Sequence, residues 1–169
     1  MEREGFSRAS SMKVGHIRQA TSDEAPALLA LINRAFAVEK FFVDHERITA
    51  EQLDGYLASG AFFLLEGDDT TPAASLYFEQ RGDRAYVGML AVDPDRQGQG
   101  IGRQMMAFAE QHARALGCGG VDIRVVNLRD ELPPFYRSLG YVETGRSEPV
   151  DDPGASTPYH FILMEKRFS

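Results

Sequence analysis

Apolar residues along the chain follow two alternating periods, one typical of strands and one typical of helices. From Val14 onward, short apolar runs are separated by longer segments in which apolar residues recur every three to four positions. This alternation, with short polar turns between the segments, predicts one α/β (α+β) domain. The pattern predicts strands over 14–20, 61–66, 73–80, 84–92, 121–126, 141–148 and 159–167, and helices over 22–36, 49–57, 98–116 and 131–139.

Local signals support several of these boundaries. Thr21 and Thr49 each open a capping-box pattern, with a glutamate or glutamine three residues later. Gly88 interrupts the longest strand, where a glycine often marks a β-bulge or the close approach of another backbone or a ligand. An aromatic and charged loop is expected over 39–47, and Phe62 and Phe63 are expected in the core.

Chain length is consistent with a single domain. The 169 residues fall within the usual domain range of roughly 100–200. Residues 1–11 are polar and charged, and Phe6 is the one large apolar side chain among them, so we expect a flexible N-terminal extension. The domain is then expected over 12–169, and Met12 is a candidate for the native start.

Composition excludes several classes of protein. A formal net charge of −7 argues against a general nucleic-acid or anionic-membrane binder. No run reaches the ~18 apolar residues that span a bilayer. Cys118 is the only cysteine, which excludes an intramolecular disulfide and indicates a cytoplasmic protein. The four histidines show no metal-ligand spacing, so no metal is expected; they are His16, His45, His112 and His160.

Three glycines at alternate positions mark the most informative segment. Gly98, Gly100 and Gly102 lie between a strand that ends near Asp93-Pro94 and the longest predicted helix. Such a turn leaves several backbone N–H groups unpaired at the positive end of the helix dipole. The absent Cβ atoms let a bulky pyrophosphate approach the backbone. The segment therefore predicts an anion-binding turn.

The glycine spacing excludes the better-known phosphate-binding loops. Dinucleotide folds use G-x-G-x-x-G, and P-loop NTPases use G-x-x-x-x-G-K followed by Ser or Thr, whereas this chain has G-Q-G-I-G followed by Arg103. The alternative is a glycine-rich helix start without a ligand. Three glycines at period two between a strand and a helix favour anion binding over that alternative.

Two motifs resemble those of a known enzyme family. The segment Gln97-Gly-Gln-Gly100-Ile-Gly102 resembles the signature of the GNAT superfamily of acyl-CoA-dependent N-acyltransferases: Arg or Gln, two variable residues, Gly, one variable residue, then Gly or Ala. Downstream, Pro134-Phe-Tyr-Arg-Ser-Leu-Gly-Tyr141 is similar to the second motif of that family, a short helix followed by a strand. The order of predicted elements from Val14 to Arg167 is also similar.

The resemblance implies a fold and a cosubstrate. It implies a single GNAT-like domain whose central sheet is mixed, mostly antiparallel, has six to seven strands and is flanked by about four helices. It implies acetyl-CoA as cosubstrate, with the acyl and pantetheine groups bound where the glycine-interrupted strand splays from the next one. The residues it places at the cosubstrate are Leu90, Ala91, Val92, Gln97, Gly98, Gln99, Gly100, Ile101, Gly102, Arg103, Asn127 and Tyr136.

Tyr136 matches the tyrosine that the family is proposed to use to protonate the departing CoA thiolate. Attack of an amine on a thioester creates an oxyanion and a thiolate, so an oriented phenol beside the sulfur would lower the barrier. From the residues alone, Phe135, Tyr136 and Tyr141 could equally be core or interface aromatics. The catalytic assignment of Tyr136 therefore follows from the resemblance.

The general base is open between two glutamates. Glu39 follows the first helix, and Glu79 lies near the end of a strand; either could act through water, and either could be a solvated surface charge. Glu39 is the preferred candidate because acceptor sites in the family draw on that region.

The function expected from this reading is acetyl transfer from acetyl-CoA to a primary amine, by direct attack in a ternary complex. The acceptor is expected to be a small molecule or a peptide, and a homodimer is possible for the family. Acidic residues of the 149–158 loop, Asp151 and Asp152, suggest a cationic acceptor. Two alternatives stay open: a non-catalytic acyl-CoA-binding regulatory module, and an unrelated nucleotide-binding domain.

Overall fold

Seven strands form the centre of the molecule. A computed structural model describes residues 15–67 and 71–169, and within them lie β1 (Ile17–Gln19), β2 (Ala61–Leu65), β3 (Ala74–Arg81), β4 (Arg84–Val92), β5 (Gly120–Val126), β6 (Val142–Arg146) and β7 (Phe161–Arg167). They form one sheet in the order β1-β2-β3-β4-β5-β7-β6. Among the strands of the described residues, only β4 and β5 pair in parallel. The predicted mixed, mostly antiparallel sheet is confirmed.

Four α-helices flank the sheet in the described part of the chain: α1 (Ala25–Ala35), α2 (Ala50–Ser59), α3 (Ile101–Ala115) and α4 (Leu132–Ser138). The capping box of α2 is present, because the Thr49 hydroxyl accepts from the Gln52 N–H at 3.1 Å and the Gln52 side chain accepts from the Thr49 N–H at 2.9 Å. The predicted helix over 22–36 starts instead as a separate 3₁₀ turn, Ser22–Glu24. Another 3₁₀ turn, Phe36–Phe41, occupies the first part of the predicted loop over 39–47.

Each face of the sheet is covered by one helix pair. Leu28 and Leu31 of α1 and Leu53 of α2 pack in one buried cluster, which covers one face. Met105 and Met106 of α3 belong to the cluster on the opposite face. Phe62 and Phe63, adjacent on β2, belong to different clusters because strand side chains alternate between faces. Their predicted core positions are confirmed.

A β-bulge lies in the middle of β4. Tyr77 pairs with Gly88 but Ser75 pairs with Ala91, so β4 contains one residue more than β3 over this interval. Met89 within it has a positive φ of 49°, which is uncommon for a side chain other than glycine. The extra residue reverses the alternation, because Val87 packs in the α3 cluster whereas Met89 packs in the α1 cluster. Gly88 thus marks a bulge, as the sequence indicates.

Pairing between β4 and β5 stops after two residue pairs, Ala85 with Val121 and Tyr86 with Asp122. On its other edge, β5 pairs with β7 along seven positions. At the paired end, the Arg84 guanidinium bridges two neighbouring strands, bonding Asp122 at 2.7 Å and Glu165 at 2.9 Å. Beyond Tyr86 the two strands separate, as the family resemblance implies.

Some predicted boundaries are wrong. The third helix begins at Ile101 and not near 98, because Gly98 and Gly100 have φ values of +84° and +79° and cannot continue a right-handed helix backwards. The last strand begins at Phe161 and not near 159, and the one before it spans only Val142–Arg146. The expected extension over 1–11 and the candidate start Met12 lie outside the described residues. No helix within 15–67 and 71–169 is long and apolar enough to cross a membrane.

Candidate active site

A cavity of about 640 Å³ lies where β4 and β5 separate. Its lining comes from the second half of β4, the turn before α3, the end of β5, α4, the segment after α1 and the segment before β7. Of the predicted site residues, the following line it: Leu90, Val92, Gln97, Gly98, Gly100, Ile101, Gly102, Arg103, Tyr136 and Glu39.

Asp93 organises the turn between β4 and α3. Its backbone N–H donates to the carbonyl of Ala73 at 2.9 Å, and its carboxylate accepts from the Asp95 N–H at 3.0 Å. Arg34 of α1 ion-pairs with the same carboxylate at 2.9 Å. The backbone hydrogen bond and the Arg34 ion pair hold the pKa of Asp93 below its usual range. This buried carboxylate therefore fixes the start of the glycine-rich turn against both the sheet and α1.

Backbone amides at the start of α3 face no protein acceptor. Gly100 occupies the N-cap position, where its lack of a side chain leaves the first helical N–H groups uncapped. Within the described structure, the amides of residues 98–103 donate to no protein group. A Cβ built on Gly98 or Gly100 would meet nothing within 4 Å. The turn is therefore an open set of oriented donors at a helix N-terminus, which matches the chemistry of a phosphate group.

Gly102 has a different role in the same turn. A Cβ at this position would approach the Phe135 ring at 3.3 Å and the Leu90 side chain at 3.7 Å, so the missing side chain lets α3 pack closely on α4 and β4. Arg103 adds a second connection to α4, because its guanidinium donates to the Ser138 hydroxyl at 2.9 Å.

Three residues that the resemblance places at the cosubstrate do not line the cavity. They are Ala91, Gln99 and Asn127. The Ala91 side chain packs in the α1 cluster on the far side of β4 because of the bulge. Asn127 joins β5 to the segment before β7: its N–H donates to the His160 carbonyl at 3.0 Å, and its side-chain oxygen accepts from the His160 N–H at 2.9 Å. Their roles toward a cosubstrate stay predictions.

Tyr136 lies in α4 and is almost fully buried, with 8% of its surface exposed at the cavity wall. Burial raises the pKa of its phenol to about 12, with the nearby Arg129 opposing the shift. The phenol is therefore protonated throughout the physiological pH range and can donate a proton or a hydrogen bond. The prolines 133 and 134 lie in the first turn of α4, where the missing N–H groups are tolerated.

Glu39 lies in the 3₁₀ turn after α1 and is held by an arginine from the other side of the cavity. Arg129 Nη1 donates to Glu39 Oε2 at 3.3 Å, and the same guanidinium bonds Glu131 at 3.1 Å. In the described residues, Oε1 of Glu39 has no hydrogen-bond donor. One carboxylate oxygen is thus engaged by Arg129, and Glu39 is among the residues that line the cavity.

Two loops far apart in sequence join to close one side of the cavity. Residues 43 and 155 form an isolated antiparallel bridge, and the Asp44 N–H donates to the Gly154 carbonyl at 3.0 Å. Asp152 reinforces this contact, since its carboxylate accepts from the Tyr159 hydroxyl at 2.6 Å and contacts His45 Nε2 at 2.9 Å. The segment before β7 is thereby tied to the segment after α1.

Both ring nitrogens of His45 lie beside acceptors. Its Nδ1 is 2.9 Å from the Glu46 carbonyl, and its Nε2 is 2.9 Å from the Asp152 carboxylate. Both partners favour the protonated ring. The Glu46 carbonyl and then Asp152 raise the pKa of His45 above its ordinary value of 6.5. The Tyr159 hydroxyl and His45 lower the pKa of Asp152.

The sequence model of the acetyltransferase (GNAT) family matches residues 26–141, more than half of the chain. The chain belongs to the GNAT acetyltransferase family. The peptidyl-lysine N-acetyltransferase YjaB of Salmonella typhimurium is 28% identical over 145 residues, covering 85% of this chain and 93% of that one. The enzyme class expected from the sequence, an N-acyltransferase, is confirmed.

Solved structures confirm the GNAT fold. The ribosomal-protein-alanine N-acetyltransferase from Brucella melitensis superposes with a TM-score of 0.71 at 19% identity, covering 90% of this chain and 99% of that one. The PaiA N-acetyltransferase from Thermoplasma acidophilum, solved in complex with coenzyme A, superposes with a TM-score of 0.68 at 15% identity, covering 90% and 98%.

Other cavity residues were not singled out from the sequence. They are Arg47, Arg124, Arg129, Tyr159 and Phe161. Arg124 and Phe161 lie on paired strands and contact each other only through the β5–β7 register, which no local pattern reveals. Among the described residues, no three His, Cys, Asp or Glu side chains lie together as a metal site.

We expect replacement of Asp152 by asparagine to lower the pKa of His45 without returning it fully to 6.5, because the Glu46 carbonyl still accepts from Nδ1. In the wild type, the raised pKa means that the pair adds stability below pH 6.5, and this stability is lost as pH rises through the folded-state pKa. NMR titration of His45 and denaturation at several pH values measure both effects. The neighbouring exposed Asp151→Asn is the control, and an equal change there would contradict the assignment.

Proposed function

We propose that this chain transfers the acetyl group of acetyl-CoA to a primary amine by direct attack in a ternary complex. One observation carries the proposal: the separation of β4 from β5 opens a single cavity with unpartnered helix amides at one end and the protonated Tyr136 phenol in its wall. A long cosubstrate with anionic and amide groups fits that arrangement. Membership of the GNAT family supports the same reaction.

The residues of the cavity fit coenzyme A. The amides of residues 98–103, with Arg103 beside them, would hold the pyrophosphate. Leu90 and Val92 lie on the β4 edge that has lost its partner strand, so their backbone groups would bond the amides of the pantetheine arm. Acetyl-CoA supplies the thioester.

Two groups of the substrate acquire negative charge during the reaction, the carbonyl oxygen and the sulfur, and both must be stabilised. The amine attacks the thioester carbonyl, giving a tetrahedral oxyanion that collapses with loss of the CoA thiolate. A backbone N–H at the β4 bulge would stabilise the oxyanion, and the Tyr136 phenol would donate to the sulfur. Glu39 Oε1 would accept the amine proton, directly or through water.

No covalent acyl-enzyme is needed in this scheme. Cys118 lies in the core, 6% exposed, and burial raises the pKa of its thiol. It is not among the residues that line the cavity. The acetyl group therefore passes from sulfur to nitrogen in one transfer, which releases free CoA.

Thiol release from acetyl-CoA, followed with a thiol reagent over a panel of primary amines, tests the proposed reaction. Mass spectrometry of the acetylated product checks the acceptor atom. Release with none of the amines, combined with intact CoA binding, would favour a regulatory CoA-binding module.

Replacement of Gly100 by alanine should weaken CoA binding at least about ten-fold, because a Cβ would intrude where the pyrophosphate approaches the backbone. The matched control is Gly117→Ala at the other end of α3. Gly117 also has a left-handed φ, +83°, with open space around its Cβ, so both variants bear a similar backbone strain of about 1 kcal/mol. Calorimetry measures the affinities, and equal affinities of the two variants for CoA would refute the amide-cradle assignment.

Replacement of Tyr136 by phenylalanine should lower kcat by about 10²-fold while leaving the Kd for CoA nearly unchanged, because only the proton donor is removed. Tyr141→Phe is the control: its ring contacts Tyr136, but its hydroxyl donates to Glu110 in the core. That variant should lose stability and retain its turnover. Steady-state kinetics with calorimetry separates the two, and unchanged turnover of Tyr136→Phe would exclude it as the acid.

Replacement of Glu39 by glutamine should lower kcat/KM by about 10²-fold, because the proton acceptor is lost. Glu131→Gln is the matched variant, since Glu131 shares Arg129 with Glu39. If both variants lose the same activity, Glu39 acts by holding Arg129 and is not the base.

A further inference from the structure

Three arginines that line the cavity, Arg47, Arg103 and Arg124, form no ion pair with a carboxylate in the described structure; Arg103 instead donates to Ser138 beside the glycine-rich turn. Arg47 and Arg124 both line the cavity. Each guanidinium lies over an aromatic ring. The guanidinium carbon of Arg47 is 4.9 Å from the centre of the Phe36 ring, and that of Arg124 is 4.6 Å from the centre of the Phe161 ring. Arg129, in the same cavity, is by contrast paired with two glutamates.

Arg124 lies at the point where the sheet opens. It is two residues beyond Asp122, the last residue of β5 that pairs with β4. Its side chain is exposed, and its guanidinium also lies 6.0 Å from the Tyr86 ring centre. The guanidinium is therefore within cation–π range of the Phe161 ring and at the limit of that range from the Tyr86 ring.

Arg47 lies near the Tyr159 ring in the cavity wall. Burial and Asp152 raise the pKa of Tyr159 to about 12, and Arg47 is close enough to oppose that shift. The Tyr159 and Phe161 rings are 6.2 Å apart, and Arg124 covers Phe161. Arg47 and Arg124 thus both lie near the Tyr159 and Phe161 rings, which line the cavity.

Carboxylates near the Tyr159 ring already form hydrogen bonds or ion pairs with other protein groups. Asp152 accepts from His45, Tyr159 and the Gly154 N–H. Glu39 and Glu131 share Arg129. The cationic acceptor suggested by Asp151 and Asp152 stays a prediction; the Asp152 carboxylate already has partners in His45 and Tyr159.

We propose that the acceptor is a small primary amine with an apolar body and a carboxylate, and that Arg124 and Arg47 bind the carboxylate. This inference rests on the proposed acetyl transfer. The edge of a guanidinium matches a planar carboxylate with two parallel hydrogen bonds. The surrounding rings, Phe36, Phe42, Tyr159 and Phe161, suit an apolar body. The amine end is directed toward Glu39, so the site is complementary to a zwitterion.

The test compares amines that differ only in the charged group. Phenylalanine, leucine and methionine are each assayed as the free acid and as the carboxamide, at saturating acetyl-CoA, together with a lysine peptide blocked at both ends. The wild type should show kcat/KM at least about ten-fold higher for the acids, the size expected for a charge-assisted pair. Arg124→Gln and Arg47→Gln should each bring the acid-to-amide ratio toward one.

Arg114→Gln is the matched control. Arg114 lies in α3 with its guanidinium 4.1 Å from the Phe168 ring centre, so it reproduces the arginine-over-ring contact outside the cavity. This variant should keep the acid-to-amide ratio of the wild type. A ratio that falls equally in all three variants would overturn the assignment.

The outcomes separate this inference from the proposed function. Acetylation of the amides or the blocked peptide as fast as the acids would overturn the carboxylate site and leave acetyl transfer intact. Thiol release with none of the amines would contradict the proposed function. In that case, calorimetry on the CoA-saturated protein tests the carboxylate site. N-acetylphenylalanine should bind at least about ten-fold more tightly than its amide, and equal binding of the two would overturn the carboxylate site.

Discussion

The interrupted pairing between β4 and β5 is the constraint on which the rest of the structure depends. Arg84 holds the two strands together at one end through Asp122 and Glu165, while the bulge at Met89 reverses the side-chain alternation of β4 beyond it. Backbone groups that a continuous sheet would pair are left for a ligand. The same departure from regular structure therefore opens the cavity and supplies its polar groups.

The net charge of the chain does not show how charge is distributed around the cavity. The chain has a net charge of −7, yet acids around the cavity have basic partners: Asp93 pairs with Arg34, Glu39 with Arg129, and Asp152 with His45. In the described residues, the helix amides of the glycine-rich turn and the guanidinium groups of Arg47, Arg103 and Arg124 have no carboxylate partner. An acidic protein can in this way present a locally positive site, because oriented donors act over a few ångströms and net charge acts at long range.

Most of the fold follows from patterns that are local in sequence. Strand and helix periods predicted all seven strands and all four α-helices of the described chain, and the Thr49 capping box lies where its sequence indicates. Errors occurred where backbone conformation overrides periodicity, as at Gly98 and Gly100, whose left-handed φ delays the start of α3. No local pattern shows, for a related reason, that a bulge turns the Ala91 side chain away from the cavity.

Contiguous residues were sufficient to reveal the family and to predict an anion-binding turn, because the glycines and the helix they precede are neighbours in the chain. The part of the cavity lined by His45, Arg124, Tyr159 and Phe161 depends on contacts between distant segments. His45 and Asp152 are 107 positions apart, and Arg124 meets Phe161 only through strand register. The contact of His45 with Asp152 ties the acidic loop to the segment after α1 and gives the Asp152 carboxylate a protein partner that the sequence does not show. A charge pattern in sequence gives the sign of each group, but folding decides which charges cancel and which remain for a ligand.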